Sequence, residues 1–347
     1  MLRLRGALWL EPAAAYVGAV VGAGFASGRE VLHFFGRYGG MGLVGALLAG
    51  LAFALCGAAA LGLAAATHPR HYGDLLRTLC GPTLGAALDR VAVAGLFLGE
   101  VAVVAGAGAL ASHGLGWPPR WGTAVFGCAL GMAALPGRAG LRWGNFLLVP
   151  LMVSAILVAG ALRIPLLTSH GGFTVGRRGW AGAALLYVSY NLLLGLSSLC
   201  VALPRGISSR SAAWAGYAGG AVLGTLCLGS TLAVLAQPAG AVVPLPLGTA
   251  IDARWWTFLA YPVLLGAALW TTGSATAAAL GQRLAPRCPG PVAAAVCIAA
   301  IPAGLAGLVP IVAIAYPVLG YLGIPLALGA LSALVRRWRA GGSEPGV

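Results

Sequence analysis

The chain has 347 residues, of which 60% are hydrophobic and 8% charged, and its mean hydropathy is +0.93. A soluble domain carries about 25% charged residues, so this chain cannot clothe a water-facing surface of its own size, which argues against a soluble enzyme. The net charge of +14 comes from 21 basic residues, all arginine, against 7 acidic ones. They are scattered singly and in pairs, without the basic patch that nucleic acid requires. The seven cysteines (56, 80, 128, 200, 227, 288 and 297) lie mostly in apolar runs with no CxxC, and read as small buried hydrophobes. No cleavable signal peptide is expected, because the first apolar segment carries a special motif and nine more follow.

A helix needs about 20 apolar residues to cross a bilayer. Breaks at Arg, Pro and Gly clusters predict ten spans, at about 12–36, 41–66, 86–113, 121–135, 143–163, 179–203, 211–236, 254–281, 290–307 and 309–335. The starts of spans six to ten trail those of spans one to five by 167, 170, 168, 169 and 166 residues. A mid-span proline recurs, Pro150 in span five and Pro317 in span ten. Five spans per half invert the second half relative to the first, the inverted-repeat plan of many secondary transporters. The expectation is an all-α polytopic membrane protein: one transmembrane domain over 1–347, with repeat one about 12–163 and repeat two about 179–335. With the N-terminus inside, 14 arginines fall on the cytoplasmic side and 6 outside, with Arg29 inside span one. That bias predicts cytoplasmic placement of both termini.

Span one contains GAGFASG, residues 22–28. Glycine costs about 1 kcal/mol per residue in a helix, so this run is a weak point near mid-membrane. If it unwinds, its free N–H and C=O groups can hold a carboxylate, an amine or a cation; close helix packing through Gly18-xxx-Gly22 and Gly24-xxx-Gly28 is the alternative. Glu30 lies a turn beyond Ser27, on a face with His33 and Phe34. It reads either as a gate on the outward pathway or as half of a salt bridge with Arg29 or Arg37. Asp74 and Asp89, near Arg77 and Arg90, read as surface pairs.

Glu100 stands at the midpoint of span three. An acid at the bilayer centre costs about 2.5–3.5 kcal/mol, so it should face the protein interior as a proton-coupling carboxylate, a counter-ion for a substrate amine, or a protonated structural hydrogen bond. The repeat predicts a second break in span six, where Tyr187, Ser189, Tyr190, Asn191, Gly195, Ser197 and Ser198 cluster. Paired interruptions at corresponding places point to a transport site. Span eight carries Thr271, Thr272, Ser274 and Thr276, whose hydroxyls either bond the i−4 carbonyl or face the broken span. No histidine spacing suggests a metal site, and no nucleophile or acid pair suggests catalysis.

The stretch YVGAVVGAGFASGREVLHFF resembles the opening signature of the YkvI-type family of bacterial membrane proteins, with Arg29 at the position of the family's Gln. VVAGAGAL at 103–110 and LLYVSYN at 185–191 resemble it as well. The resemblance places the chain near the amino acid–polyamine–organocation superfamily. It implies a LeuT-like fold in a bacterial inner membrane, with spans one and six broken. It further implies a secondary transporter and brings no established substrate; the polar residues of the broken spans are read as serving a small, amino-acid-like solute moved by alternating access and coupled to sodium or protons. On that reading Gly22, Ala23, Gly24, Phe25, Ala26 and Ser27 offer backbone groups to the substrate, Tyr187, Tyr190 and Asn191 give shape and hydrogen bonds, and Glu100 binds its amine or carries a proton. Gly22, Thr271 and Thr272 form a sodium site, Na+ being the one cofactor considered, and Glu30 acts as a gate. The bilayer and the solute are the expected partners; no nucleic acid and no particular oligomeric state is indicated. A non-transporting, ligand-sensing receptor on the same scaffold is the rival reading.

Overall fold

The computed structural model describes residues 9–69, 72–136, 153–162, 178–204, 206–235 and 244–341; the side chains of 196–202, 337, 338, 340 and 341 lie outside the description. Helices make up the secondary structure, and no strand occurs among the described residues. The first span is three pieces, α1 (Leu10–Val20), α2 (Ala23–Ser27) and α3 (Arg29–Phe34). Then come α4 (Gly40–Thr67), α5 (Tyr72–Cys80), α6 (Pro82–Leu115) and α7 (Pro119–Ala134), α8 (Val153–Leu162), α9 (Trp180–Ala202) and α10 (Ser209–Leu235). A π-helical turn, Trp256–Ala260, opens α11 (Tyr261–Leu284), which α12 (Pro289–Gly304) follows. Finally α13 (Leu308–Pro310) passes through a second π turn, Ile311–Ala315, into α14 (Tyr316–Gly341). Among the described residues five helices are long and apolar enough to cross a membrane: Gly40–Thr67, Pro82–Leu115, Ser209–Leu235, Trp256–Leu284 and Leu308–Arg336. Leu47, Leu51, Met132, Phe258, Val263 and Ile314 are among the large apolar side chains turned outward, the exterior that lipid requires.

The helices pack through small residues. A Cβ on Gly220 would lie 2.2 Å from the Ala54 nitrogen, one on Gly216 would lie 2.2 Å from the Ala58 nitrogen, and one on Gly50 would lie 2.5 Å from the Gly224 Cα. Residue numbers rise along α4 as they fall along α10, so these two helices are antiparallel and nearly in backbone contact. Lipid is as apolar as leucine, so van der Waals fit decides which helices meet, and glycine permits the closest fit. Tyr16 tethers α1 to the pair: its hydroxyl donates to the Phe53 carbonyl at 2.9 Å.

The first span breaks where expected. Span six does not: α9 runs unbroken from Trp180 to Ala202. Its polar residues stay within helical geometry, as Asn191 shows by donating Nδ2–H to the Tyr187 carbonyl four residues back, at 2.9 Å. Spans nine and ten are parted at Gly307, whose φ of +86 suits glycine. Pro317 follows directly on the Ile311–Ala315 π turn, within the helix that runs Leu308–Arg336, and Pro302 and Pro325 also stand inside helices. Pro150 and most of the first half of span five lie outside the described residues. The link after span two contains α5, which turns Tyr72, Leu75, Leu76 and Leu79 inward and leaves Asp74 and Arg77 paired at 3.3 Å on the outside.

Candidate functional site

The site begins at two faults in span one. Val21 leaves the helical region with ψ 76, Gly22 is extended at φ −97, ψ −168, and Gly28 is left-handed at φ +79. A left-handed residue ends a helix at little cost only when it is glycine, which fixes the second fault at Gly28. Ser27 closes the gap: its Oγ–H donates to the Gly24 carbonyl at 2.7 Å, and its Oγ accepts from the Arg29 N–H at 3.2 Å. From Ala23 to Ser27 every residue is buried. A 3-10 turn, Pro246–Thr249, covers the second fault, where a Cβ on Gly28 would lie 2.9 Å from the Leu247 nitrogen. Trp256 Nε1–H holds that turn through the Leu247 carbonyl at 3.2 Å, and the Tyr261 hydroxyl reaches the Ser27 carbonyl at 3.5 Å. Ala26 faces a small, mostly apolar cavity of about 20 Å³ beside the same turn, lined also by Ile156, Leu247, Trp256, Tyr261 and Leu265.

Opposite the first fault stands Thr272 of α11. A Cβ on Gly22 would meet its Cγ2 at 3.3 Å and its Oγ1 at 3.7 Å. The flanking hydroxyls are engaged within α11, Thr271 donating to the Ala268 carbonyl at 3.1 Å and Thr276 to the Thr272 carbonyl at 2.9 Å. Of the expected ion-site residues, Gly22 and Thr272 therefore face each other, while Thr271 turns its hydroxyl back onto its own helix.

Glu30 is buried, and its carboxylate folds back over α2: a Cβ on Gly24 would fall 1.8 Å from Oε1. The Tyr190 hydroxyl of α9 donates to Oε2 at 2.5 Å. Neither Arg29 nor Arg37 pairs with Glu30 among the described residues; Arg37 instead bonds the Tyr38 hydroxyl at 2.7 Å. Rings pack around the carboxylate, with Phe34 to Tyr187 at 5.4 Å, Phe34 to Tyr190 at 5.6 Å and Tyr187 to Tyr190 at 5.5 Å. Tyr316 of α14 stacks on Tyr190 at 4.9 Å. The Tyr187 hydroxyl is buried without a hydrogen-bond partner of good geometry. The pocket thus gathers Glu30, Tyr187 and Tyr190 from the expected set. It adds Tyr316, which no sequence signal separated from Tyr321, exposed elsewhere on α14.

Glu100 lies elsewhere. Fully buried on α6, it faces Gly273 of α11, where a Cβ would be 3.5 Å from Oε1, and Cys297 of α12. Neither of its oxygens has a hydrogen-bond partner among the described residues. Asp89 also departs from expectation. It is buried and pairs with Arg283 of α11, not with Arg90, whose Nε donates to the Ala86 carbonyl. Pro82–Leu115 and Tyr261–Leu284 are pinned there by a contact spanning 194 positions, beyond the reach of local spacing. Tyr72 of the link helix caps this pair, and burial together with the Asp89 carboxylate pushes its hydroxyl above its ordinary pKa. Among the described residues no group of three His, Cys, Asp or Glu side chains could hold a metal ion.

No family model matches the chain. Among curated proteins, it is 31% identical to the Bacillus subtilis uncharacterized membrane protein YkvI over 221 residues, 62% of this chain and 63% of YkvI's length. It is 25% identical to the B. subtilis protein YyaD over 334 residues, 93% of this chain and 96% of YyaD. Among solved structures, MhsT in complex with L-phenylalanine superposes with a TM-score of 0.64 at 17% identity, covering 97% of this chain and 98% of MhsT. The inward-facing conformation of Mhp1 gives 0.60 at 16% identity, over 95% of this chain and 77% of Mhp1. An Eremococcus coleocola manganese transporter (mutant H236A) gives 0.59 at 15% identity, over 96% of this chain and 78% of that one. At such identities the likeness is one of fold, and these neighbours are transporters, not enzymes. The chain is a multi-pass membrane protein that is similar to YkvI over 62% of its length and has the LeuT-type fold of these solved structures.

Proposed function

We propose that this protein is a secondary active transporter that moves a small, amino-acid-like solute by alternating access, with sodium or protons as the coupling ion. The break at Val21–Gly22 carries the reading, because it lies inside the fold and opposite Thr272. An interrupted helix at membrane depth is tolerated where it is buried in protein or lines a water-filled cavity, and unwound backbone can coordinate ions and polar groups there. The unwound backbone at Val21–Gly22 supplies those groups beside the short helix Ala23–Ser27, Tyr187, Tyr190 and Asn191 of α9 add side chains in this scheme, and Thr272 with Gly22 offers oxygen ligands suited to a hard cation. Glu100, behind Gly273, serves as a proton carrier between α6, α11 and α12 in this scheme. The ten-span, five-plus-five plan is supported by the antiparallel contact of α4 with α10, the second and seventh spans. The arginine bias supports a bacterial inner-membrane location with both termini cytoplasmic.

The test is uptake. Purified protein reconstituted in liposomes is given labelled amino acids under an imposed sodium gradient or proton gradient. Gradient-driven accumulation above protein-free liposomes is expected. Saturable binding with no accumulation under either gradient overturns the transporter reading in favour of a receptor.

A further inference from the structure

Glu30 is a buried acid on the interrupted first span, and its surroundings say what it is for. Its carboxylate is buried among α2, α3, α9 and α14, and its one hydrogen bond among the described residues comes from Tyr190. Among the described residues no ion pair to its carboxylate occurs. On its own segment the charged and titratable neighbours are Arg29, His33 and Arg37, of which Arg37 bonds the Tyr38 hydroxyl. From the packed helices it meets only the Tyr187, Tyr190 and Tyr316 hydroxyls and the Cys227 thiol. A buried carboxylate with no ion-pair partner among the described residues is costly in a membrane, so a proton or a cation supplied from outside the chain stabilises it there.

The walls say which cation. Phe34, Tyr187, Tyr190 and Tyr316 stack at centroid distances of 4.9–5.6 Å, and the negative faces of aromatic rings attract organic cations within about 6 Å. We propose that Glu30 is the recognition charge of the transport site, and that the ligand it selects is a primary or secondary organic ammonium compound. The ammonium takes the place on Oε2 that the Tyr190 hydroxyl now fills, and its carbon skeleton lies against the rings. A cargo carboxylate would meet Glu30 as a like charge, so amines without one bind more tightly than zwitterions. The inference rests on the transport reading for the location of the site, and it moves the amine contact from Glu100 to Glu30.

Binding to purified full-length protein is measured by thermal shift and calorimetry, with butylamine and benzylamine as probes and butanol and benzyl alcohol as neutral counterparts. The amines are expected to bind and the alcohols not. Glu30→Gln, which retains an acceptor for Tyr190, weakens amine binding at least tenfold, whereas Gly266→Ala, whose added methyl makes only ordinary contact with Leu110 at 3.7 Å, leaves it within twofold. Tyr190→Phe keeps the ring, removes the competing hydroxyl and binds the amines at least as well; Tyr190→Leu weakens them. Equal stabilisation by amines and alcohols overturns the inference without any variant having to fold, and so does a Glu30→Gln protein with unchanged amine affinity. Uptake separates this inference from the functional reading. Amine binding without gradient-driven uptake sustains the inference and sinks the transporter. Uptake of neutral amino acids by a protein that binds no amine does the reverse, and leaves a proton as the occupant of Glu30.

Discussion

Glycine 24 is where the backbone fault and the buried carboxylate meet, and adding one methyl there tests both. The Cβ of a Gly24→Ala variant would stand 1.8 Å from Glu30 Oε1, 2.5 Å from Cδ and 2.7 Å from Cγ. All three atoms belong to a flexible side chain, so Glu30 swings aside and its bond to Tyr190 is lost while the helices stay in place. A hydrogen bond to a charged group contributes about 1.5–3 kcal/mol, and Tyr190→Phe removes the same bond from the other end. The two variants are therefore not additive: the double variant costs about 1.5–3 kcal/mol less than the sum of the singles. Unfolding free energies from denaturant titration in mixed micelles supply the four corners of the cycle. Gly195→Ala is the control, since its Cβ would make ordinary contact with Ala19 at 3.6 Å, and it should be neutral or gain up to about 1 kcal/mol of helix propensity. Additivity within about 0.5 kcal/mol would refute the placement of Glu30 over α2.

Three further outcomes follow from other parts of the fold. Asp89→Asn and Arg283→Gln each leave a buried partner unsatisfied and should cost about 1–3 kcal/mol, less than a fully buried pair because the Arg283 side chain is 35% exposed. Gly220→Ala forces a methyl to within 2.2 Å of the Ala54 nitrogen and should lower stability by about 1–3 kcal/mol, while Gly266→Ala, whose Cβ would meet Leu110 at 3.7 Å, should change it little. If sodium drives uptake, Thr272→Val should abolish the sodium dependence and Thr271→Val should largely retain it; equal effects in liposome assays would reject the pairing of Thr272 with Gly22.

The two faults in span one and their neighbours divide the labour of the site. Gly22 meets Thr272 on one side, Glu30 meets Tyr190 on the other, and the Pro246–Thr249 turn covers Gly28. In the proposed scheme an ion and an organic solute have separate places on a single interrupted helix. The continuity of α9 makes the site asymmetric, with backbone groups coming from the first span and side chains from the sixth. Glu100 stands apart, held between α6, α11 and α12 with both oxygens unpaired among the described residues.

The amino-acid sequence determined what depends on local composition. Apolar runs too poor in charge for water made a helical membrane protein, and the cluster of glycines at 22–28 set the break in span one, because glycine weakens a helix wherever the helix is placed. Local reading failed where partners are distant. Asn191 looked like a helix breaker, yet a carbonyl four residues back absorbs its amide, so polarity alone did not interrupt α9. Asp89 has Arg90 beside it in sequence but pairs with Arg283. Tyr316 and Tyr321 are alike in sequence context, and only the packing of α14 on α9 buries the first against Tyr190. Glu30 reaches Tyr190 across 160 positions. The cost of unwinding a turn is paid by its own residues, so the sequence reveals it; the energy of a buried charge depends on which side chains other helices bring to it, and that only the tertiary structure decides.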